Sequence, residues 1–545
     1  MRALLVCPEF PLSFWSFRKA VRFRGNKTTN PPLGLLTVAA LLPPAWELRL
    51  ADLNVRSLTE DDWQWADLIL ITAMYIQREG LLALVKEAKR RGKTVVVGGP
   101  HPTSLPQAAL EAGSDFVVRG EGENTIPLLL EAIRDGKTGV IENPERPDLS
   151  TSPIPRFDLL RLTDYDTMTI QTSRGCPFDC EFCDVVNLFG RKPRYKTPKQ
   201  VIAELASLYR LGARGAVFFC DDNFIGNKKE ARALLQELTP WLKSRGDPFE
   251  FLTQVSVNLG QDLELIHLMT GANLRKVFVG IESPDDKVLE TSRKYHNIKN
   301  PLVESLNNLK KNGLAVMGSF IIGLDGETKG AGQRICAFMD QTDIPLAMLG
   351  LLQAAPNTSL WNRLEREGRL RGVEGHGGDV GGDGGTFSAM NYEPDRPEAE
   401  ILQEYIDAWD YLYEPSRYLA RAYRYYLAMP PTRRSLRNAS GPPLPAGQVS
   451  EPGMTCHSQL KEAQAFVKIL WSQGVRTSYR RQFWTQLMGM LRRNPGRFID
   501  YVVTCAMGAD LYYLREVVRA KVAAIIKEHD QEVPAAKPRG CAAAQ

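Results

Sequence analysis

The segment Cys176-Pro177-Phe178-Asp179-Cys180-Glu181-Phe182-Cys183 carries three cysteines within eight residues, in the spacing CxxxCxxC. It follows a short apolar run, Met168 to Ile170, and the turn-like Ser173-Arg174-Gly175. Three thiolates on one loop can each hold one iron of a [4Fe–4S] cluster, which leaves the fourth iron without a protein ligand. An open iron can bind a substrate or a cosubstrate, so this spacing predicts chemistry rather than electron storage alone.

Other uses of the cysteines fit the sequence less well. A structural zinc site normally takes four ligands in paired short spacings, and the chain has no second CxxC. A disulfide framework is typical of small secreted chains rather than of a chain of 545 residues. The remaining cysteines are scattered singly, at Cys7, Cys220, Cys336, Cys456, Cys505 and Cys541. An iron–sulfur cluster is therefore the favoured interpretation.

The same loop resembles that of the radical S-adenosylmethionine (SAM) superfamily, in which CxxxCxΦC follows the first strand of a partial barrel. Phe182 stands at the Φ position here. The resemblance implies that the open iron binds the amino and carboxylate groups of SAM. It also implies that one electron cleaves SAM to methionine and a 5′-deoxyadenosyl radical, and that an external one-electron reductant, flavodoxin or ferredoxin, supplies that electron.

Composition and charge are those of an ordinary globular protein. Hydrophobic residues make up 43% of the chain and charged residues 24%. The net charge of +5 is small for this length and does not favour nucleic-acid binding. The apolar run at residues 1–6 is too short for a signal-peptide core, and later apolar stretches fall below the ~20 residues that span a bilayer. With reduced thiols, these features predict a cytoplasmic protein.

Residues 1–140 alternate between apolar runs and amphipathic stretches, which predicts an α/β, Rossmann-like domain with a parallel sheet wrapped by helices. Ligands of such sheets bind beyond the carboxyl ends of the strands. Polar or glycine-rich segments follow predicted strands at residues 52–54, 98–101 and 119–123. Taken alone, the glycines indicate only tight turns.

Together with the cysteine loop, these segments resemble the cobalamin-binding domain of cobalamin-dependent radical SAM proteins. The similarity lies in NPPLGLLTVAALLP at 30–43, VVVGGPHPT at 95–103 and FVVRGEGENTIPLLL at 116–130. The resemblance implies that cobalamin lies near Gly98, Gly99, His101 and Glu121.

The sequence departs from one motif of those domains. Cobalamin domains that provide a histidine as lower ligand carry DxHxxG, whereas the matching place here reads Asp52-Leu53-Asn54-Val55-Arg56-Ser57. We therefore expect no histidine ligand from this loop, and Asn54 is the candidate neighbour of the lower face.

Residues 141–166 are rich in proline and are interpreted as a linker. Residues 167–365 alternate again, and six strand–helix units predict an open, partial (β/α)6 barrel with its site at the carboxyl ends of the strands. By resemblance, three of these ends approach SAM. They carry Asp221 and Asp222 after the second strand, Gln254 and Asn258 after the third, and Glu282 after the fourth. For the aspartates, a solvated turn that caps the next helix is the alternative.

The rest of the chain is predicted as a glycine-rich loop at 366–394, a helical domain at 395–535 and a disordered tail at 536–545. Aromatic residues at helical spacing in the helical domain indicate core packing. Basic residues concentrate there at Arg476, Arg480, Arg481, Arg492, Arg493 and Arg497. A solvated face is the first interpretation of these charges, and peripheral contact with an anionic membrane is the second.

In this order, the three parts resemble the class B radical SAM methyltransferases, and the helical part is similar to that of hopanoid C-2 methylases. The resemblance implies methylation of an unactivated carbon through a 5′-deoxyadenosyl radical and methylcobalamin. The small-molecule substrate is expected to be a lipid such as a hopanoid, a tetrapyrrole or a secondary metabolite. Two alternatives stay open: a radical SAM and cobalamin cyclase or oxidoreductase without methyl transfer, and a non-catalytic cobalamin or redox sensor.

Overall fold

The computed structural model of the protein describes residues 1–371, 389–432 and 456–532. Within them the chain forms two parallel six-stranded sheets, each covered by helices, followed by a helical part. This architecture confirms the predicted α/β fold. The predicted tail at 536–545, and most of the glycine-rich loop at 366–394, lie outside the described residues.

The first sheet has the strand order β2-β1-β3-β4-β5-β6, and all its pairs are parallel. Apolar runs such as Leu68–Ile71 are buried in it because helices cover both faces. The strands are β1 (Arg2–Cys7), β2 (Glu47–Asp52), β3 (Leu68–Thr72), β4 (Thr94–Gly98), β5 (Phe116–Arg119) and β6 (Gly139–Glu142). The sequence does not predict β6, because its short run of alternating exposed and half-buried residues gives a weak signal. The linker interpreted at 141–166 starts inside this strand.

Short helices join and cover these strands. The helix after β4 begins with Pro100, whose fixed φ suits the first helical position. The α-helices are Arg18–Phe23, Leu33–Leu41, Glu60–Trp65, Arg78–Arg90, Pro100–Ser104, Pro106–Glu111 and Gly122–Arg134. Three single turns of 3-10 helix, Leu149–Thr151, Phe157–Leu159 and Leu162–Asp164, lead to the second sheet.

The second sheet has the order β14-β13-β12-β11-β10-β7, so each strand lies beside its neighbour in the chain, as in an open barrel. Its strands are β7 (Met168–Ile170), β10 (Gly215–Phe219), β11 (Phe249–Val255), β12 (Leu274–Glu282), β13 (Ala315–Ile322) and β14 (Leu346–Leu351), and the pair β8 (Ser173–Arg174) and β9 (Arg194–Tyr195) lies apart. In β11 every second residue is buried, which places Gln254 on the opposite face from Thr253 and Val255.

Helices cover the outside of the barrel, and their apolar residues form its core together with those of the strands. They are Pro198–Arg210, Lys228–Lys243, Leu263–Gly271, Asp286–Thr291, Tyr295–Ile298, Leu302–Lys311, Ala331–Thr342 and Ser359–Arg366, and a short helix without buried residues, Val185–Phe189, follows the cysteine loop.

The C-terminal part is helical and packs on the barrel. Tyr405, Tyr413 and Tyr425 are buried, and their hydroxyls bond the backbone of Leu349, Ala347 and Val316, on strands of the second sheet. The aromatic residues therefore form core contacts, as their spacing predicted. The helices are Glu398–Leu412, Pro415–Ala428, Cys456–Gly474, Arg480–Arg493 and Phe498–Glu532. In the described part of the chain, no helix is long and apolar enough to cross a membrane.

Candidate active site

The cysteine loop starts just after β7 and is shaped by Gly175. This residue has a φ of 97°, in the left-handed region that favours glycine, and a Cβ there would lie 2.8 Å from the carbonyl oxygen of Gly190. The Gly175 N–H donates to Asp222 Oδ2 at 2.8 Å, and the Cys176 N–H donates to the carbonyl of Gly190 at 3.2 Å. These contacts fix the loop at the carboxyl ends of β7 and β10.

Cys176, Cys180 and Cys183 are free thiols. Burial raises the pKa of all three, to about 12 for Cys183, and neighbouring thiols raise it further for Cys180 and Cys183. Among the described residues, no three His, Cys, Asp or Glu side chains gather tightly enough to hold one metal ion. A cluster spreads its thiolate ligands over separate irons. Three thiols on one short loop fit a [4Fe–4S] cluster with three protein ligands.

A buried ion pair lies beside the thiols. Lys294 Nζ donates to Glu282 Oε1 at 2.7 Å, and Ser319 Oγ donates to Glu282 Oε2 at 3.2 Å. Lys294 interacts electrostatically with all three cysteines, and its Nζ lies 5.8 Å from the ring centroid of Phe182. The structure thus brings Glu282 and Phe182 together with the cysteines. Lys294 could not be predicted from the sequence, because it belongs to the long connection after β12 rather than to a strand end.

Asp221 and Asp222 differ in their hydrogen-bond partners, although both are largely buried. Asp221 is fully buried, and its carboxylate accepts bonds from the N–H groups of Thr172 and Ser173, at 2.6 and 3.0 Å, and from the Thr172 hydroxyl. Burial raises the pKa of Asp222 to about 6. Asp221 therefore supports the chain just before the cysteine loop. The alternative of a solvated helix cap is wrong, because both aspartates are largely buried and Asn227 caps the next helix.

Gln254 and Asn258 lie at the carboxyl end of β11, and Asn223, in the segment that follows β10, connects Asn258 to the cysteine loop through Ser256. The Ser256 N–H donates to Asn223 Oδ1 at 3.3 Å, and Ser256 Oγ donates to Asn258 Oδ1 at 2.7 Å. The Asn223 side chain also bonds the thiol of Cys176. Asn223 directly follows the two predicted aspartates, so its neighbours in sequence were the available signal.

The segment Gly98-Gly99-Pro100-His101 turns the chain from β4 into its helix. Gly99 has a φ of 99°, and a Cβ there would lie only 2.6 Å from Thr72 Oγ1 at the end of β3. The His101 N–H donates to the carbonyl of Ala73 at 3.1 Å. The glycines thus let the backbone fold tightly over the carboxyl edge of the first sheet, where ligands of such sheets bind.

The His101 side chain is buried, and neither ring nitrogen has a hydrogen-bond partner among the described residues. Burial, with a smaller contribution from Arg78, lowers the pKa of His101 to about 4, so the ring is neutral at pH 7. It packs edge-to-face on Tyr75, with the ring centroids 6.1 Å apart. A neutral imidazole with both nitrogens unpartnered is suited to polar groups of a bound ligand.

Asn54 holds the loops after β1 and β2 together. Its Oδ1 accepts from the N–H of Phe10 at 2.8 Å, and its Nδ2 donates to Asp52 Oδ1 at 2.7 Å and to the carbonyl of Pro8 at 3.3 Å. The amide is therefore engaged within the protein, at the carboxyl edge of the first sheet.

Glu121 connects the first sheet to the strand pair β8–β9. Arg174 Nη1 lies 2.7 Å from Glu121 Oε2, and Arg194 Nη2 lies 2.6 Å from Glu121 Oε1. Arg174 also binds Glu123 at 2.9 Å. Burial alone would raise the pKa of Glu123, but the guanidinium of Arg174 holds it at about 2. Both oxygens of Glu121 are thus used in a bridge between the first sheet and the pair β8–β9.

Two more contacts reach the cysteine loop from distant parts of the chain. Tyr75 donates to Asp184 Oδ2 at 2.6 Å, next to Cys183. Arg363 Nε lies 2.5 Å from Glu181 Oε1, inside the loop, and Arg363 Nη2 lies 2.7 Å from Asp325 Oδ2. Neither contact could be predicted from the sequence, because no spacing rule connects residues so far apart.

The carboxyl edge of the first sheet and the cysteine loop therefore face each other. Tyr75 and Arg174 connect them directly. The glycine turn and the unpartnered imidazole of His101 fit a cobalamin at that edge, and the three thiols fit a cluster opposite it. Such an arrangement can bring the two cofactors to one substrate.

Matches to three family models divide the chain into the same three parts as the structure. Residues 26–130 match the B12 binding domain, residues 170–339 match the radical SAM superfamily, and residues 358–524 match a domain of unknown function, DUF4070. The chain thus contains the modules of a cobalamin-dependent radical SAM protein.

Relatives extend the match to the whole chain. An uncharacterized methyltransferase of Synechocystis sp. is 44% identical over 97% of this chain and 95% of its own length. Hopanoid C-2 methylase of Rhodopseudomonas palustris is 33% identical over 95% of this chain and 94% of its own. Among solved structures, OxsB, a cobalamin-dependent SAM radical enzyme solved with aqua-cobalamin and SAM, shares the fold. It matches with a TM-score of 0.58 and 14% identity, over 97% of this chain and 81% of OxsB.

The chain belongs to the cobalamin-dependent radical SAM methyltransferase family. Its cofactors are accordingly a [4Fe–4S] cluster, SAM and cobalamin.

Proposed function

We propose that this enzyme methylates an unactivated carbon of a lipid of the hopanoid type, with a tetrapyrrole or a secondary metabolite as the other candidate substrates. The observation that carries this proposal is the match to hopanoid C-2 methylase over 95% of this chain. That match includes the helical C-terminal part as well as the two cofactor modules. A similarity confined to the modules would reflect the cofactors and not the substrate.

We assign the cluster ligands to Cys176, Cys180 and Cys183. When bound, the cluster and cobalamin supply the reductive cleavage of SAM and a transferable methyl group. The loop provides no fourth thiolate, and the contacts of Gly175 keep the three thiols at the barrel mouth. Phe182 and Lys294 form the wall beside them.

Polar side chains at the ends of three barrel strands are the proposed SAM contacts. Asp222, Gln254, Asn258 and Glu282 all lie at these ends. A carboxylate such as that of Glu282 can accept bonds from an amine or from ribose hydroxyls. Asp221, with its oxygens already engaged, would hold this wall in place rather than bind the cosubstrate.

On the first sheet, Gly98 and Gly99 would let cobalamin approach the backbone, and His101 would bond one of its polar groups. Asn54 and Glu121 lie at the rim of the same edge, where their described contacts join loops rather than point to a ligand. Their role toward cobalamin is thus to shape the edge.

We further propose three properties of the enzyme in the cell. It takes single electrons from flavodoxin or ferredoxin, it works in the cytoplasm, and it contacts a membrane peripherally. The free thiols of the described cysteines and the need for a strong reductant support the first two. A lipid substrate supports the third.

Product stoichiometry tests the proposed reaction. The protein is reconstituted anaerobically with iron, sulfide, cobalamin and SAM, reduced, and given lipid extracts. We expect 5′-deoxyadenosine and S-adenosylhomocysteine to form in equal amounts together with a product one methylene heavier. Deuterium at the target carbon should move into 5′-deoxyadenosine. If 5′-deoxyadenosine forms with substrate but no methyl group is gained, a cyclase or oxidoreductase is the better interpretation.

The lower face of cobalamin gives a separate test. The loop from Asp52 to Ser57 has no histidine, so the cob(II)alamin form should show no nitrogen superhyperfine splitting from a protein imidazole. Electron paramagnetic resonance measures this directly. Splitting that disappears in His101→Gln would identify His101 as a ligand and contradict the assignment.

A further inference from the structure

Two neighbouring helices of the C-terminal part, Cys456–Gly474 and Arg480–Arg493, turn apolar side chains toward solvent. On the first helix, Val467 and Trp471 are 63% and 55% exposed, and Val475, directly after its end, is 44% exposed, so the three follow a spacing of four residues. On the second helix, Trp484, Met488 and Leu491 form a similar exposed stripe. The inward face of that helix is separate and is formed by Phe483, Leu487 and Met490. Each helix therefore has one apolar face packed in the protein and a second that faces water.

The two exposed stripes meet where the helices touch. Trp484 Nε1 donates to the carbonyl of Gly474 at 2.9 Å. A Cβ on Gly474 would lie 2.8 Å from the same ring. The stripes thus form one surface, the apolar patch, which consists of Val467, Trp471, Val475, Trp484, Met488 and Leu491.

The charge around the apolar patch has a single sign. Residues 463–497 contain seven lysines and arginines and no aspartate or glutamate, although the whole chain has a net charge of only +5. Arg480, Arg481 and Arg492 lie within about one helical turn of the exposed stripe on their own helix. The exposed basic residues are Lys468, Arg476, Arg480, Arg481, Arg492 and Arg493.

We propose that the apolar patch docks on an anionic phospholipid bilayer. Exposed Trp, Val, Met and Leu side chains ringed by Lys and Arg have the chemistry of an interfacial helix surface. Tryptophan prefers the headgroup level, and each basic residue gains attraction from anionic lipids. A second copy of the chain is a poorer occupant, because a twofold contact would bring two strongly basic faces together. Nucleic acid would leave the aliphatic side chains unused.

The position of the apolar patch connects docking to the site. The helix Arg18–Phe23, which follows the loop after β1, packs on both Cys456–Gly474 and Phe498–Glu532. The N–H groups of Lys19 and Ala20 donate to Asp510 at 2.8 and 2.9 Å. The docked surface thus adjoins the loop at the carboxyl edge of the first sheet. Delivery of a bilayer lipid to the site rests on the proposed lipid substrate, whereas docking, which assigns a surface to the proposed membrane contact, rests on the apolar patch and its charges.

Vesicle co-sedimentation of the full chain tests the proposal. Vesicles of phosphatidylglycerol and phosphatidylcholine should bind the protein at low salt, and vesicles of phosphatidylcholine alone should bind it far less. The double variants Trp471→Ser/Met488→Ser and Arg480→Glu/Arg481→Glu should each weaken binding by about tenfold or more. Matched controls are Leu211→Ser/Leu263→Ser, at exposed leucines elsewhere, and Arg134→Glu/Lys137→Glu, at equally charged exposed sites.

The outcomes separate the possible occupants. Unchanged circular dichroism with lost vesicle binding in the patch variants, and retained binding in the controls, supports docking. Absence of binding by the unmodified protein, or equal losses in patch and control variants, overturns it. A dimer that the patch variants abolish, or preferential binding to DNA, also overturns it. Because the assay needs no turnover, vesicle binding without a methylated lipid would refute the proposed substrate class and leave docking in place.

Discussion

At the scale of single residues, the three loop cysteines carry the clearest prediction. Replacing Cys176, Cys180 or Cys183 by Ala removes one of three thiolates from the cluster. Each variant should lose the broad iron–sulfur absorbance near ~400 nm and the ability to cleave SAM. Cys220→Ala is the matched control, because this thiol is half-buried like the loop cysteines, lies next to Asp221 in the chain and bonds the carbonyl of Ile170. An intact cluster in all three loop variants would rule out the assignment.

Glu327 should make stability depend on pH. Burial raises the pKa of Glu327 from 4.5 to about 7, although Gly323 and Arg396 donate to it. Between these values the folded state holds a proton that the unfolded state has released, so stability falls as pH rises through this window. Glu327→Gln should flatten this dependence and raise stability at pH 8, by about 3 kcal/mol at most. Urea midpoints between pH 5 and pH 8 measure it.

Glu404 is a control, because its pKa is shifted in the opposite direction from that of Glu327. It shares Arg396 with Glu327. Burial opposes ionisation of Glu404, but the bonds from Arg396 and from two glycine N–H groups prevail and lower its pKa. Its contribution is therefore present above about pH 4.5 and lost in acid. Glu404→Gln should lower the urea midpoint at pH 8, and a gain there would contradict the assigned signs.

Single residues were predictable only where chemistry depends on local spacing. The cysteines and Phe182 can be recognised from their spacing within eight residues. Lys294, Arg363 and Asp184 could not be predicted in this way, because their partners lie in other segments of the chain and become neighbours only after folding. For the same reason, the hydrogen bonds of Asn54 to the loop after β1 could not be predicted from the sequence around Asn54.

At the scale of elements, the turn after β4 needs glycine at position 99. Gly99→Ala would place a methyl group against Thr72 and Ala73 in a left-handed backbone. We expect a loss of about 2–4 kcal/mol and weaker cobalamin binding. Gly92→Ala, before the same strand, is the control, because it has a positive φ and open space. Thermal unfolding and cobalamin titration should show a much smaller effect there.

Most strands of the two large sheets could be predicted from the sequence. Apolar runs in both sheets mark buried parallel strands, and 11 of the 12 strands in the two large sheets coincide with them. The exception, β6, lies at a sheet edge with exposed side chains, so burial left no pattern in its sequence.

At the scale of the whole molecule, Arg174 on β8 joins the first sheet to the segment that carries the cysteine loop, so we expect the first sheet and the barrel to unfold together. Its side chain is 11% exposed between Glu121 and Glu123. Arg174→Met would leave two buried carboxylates short of their partner, at a cost of about 3–5 kcal/mol. We expect calorimetry to show the first sheet unfolding before the barrel. Arg156→Met, which breaks the exposed pair with Asp158, should leave a single transition. Identical traces for both variants would contradict this role.

The contact between Arg363 and Glu181 has a consequence for how this chain can be divided. Arg363 belongs to the region matched by DUF4070, beyond the last barrel strand, yet its charge neutralises a carboxylate between two cluster cysteines. The Leu360 N–H also donates to the Glu181 carbonyl at 2.9 Å. A gene fragment cut between the two matched regions, after residue 339 or before residue 358, would therefore encode a cysteine loop without its counter-charge. The boundary between sequence families is not a boundary between independent working parts.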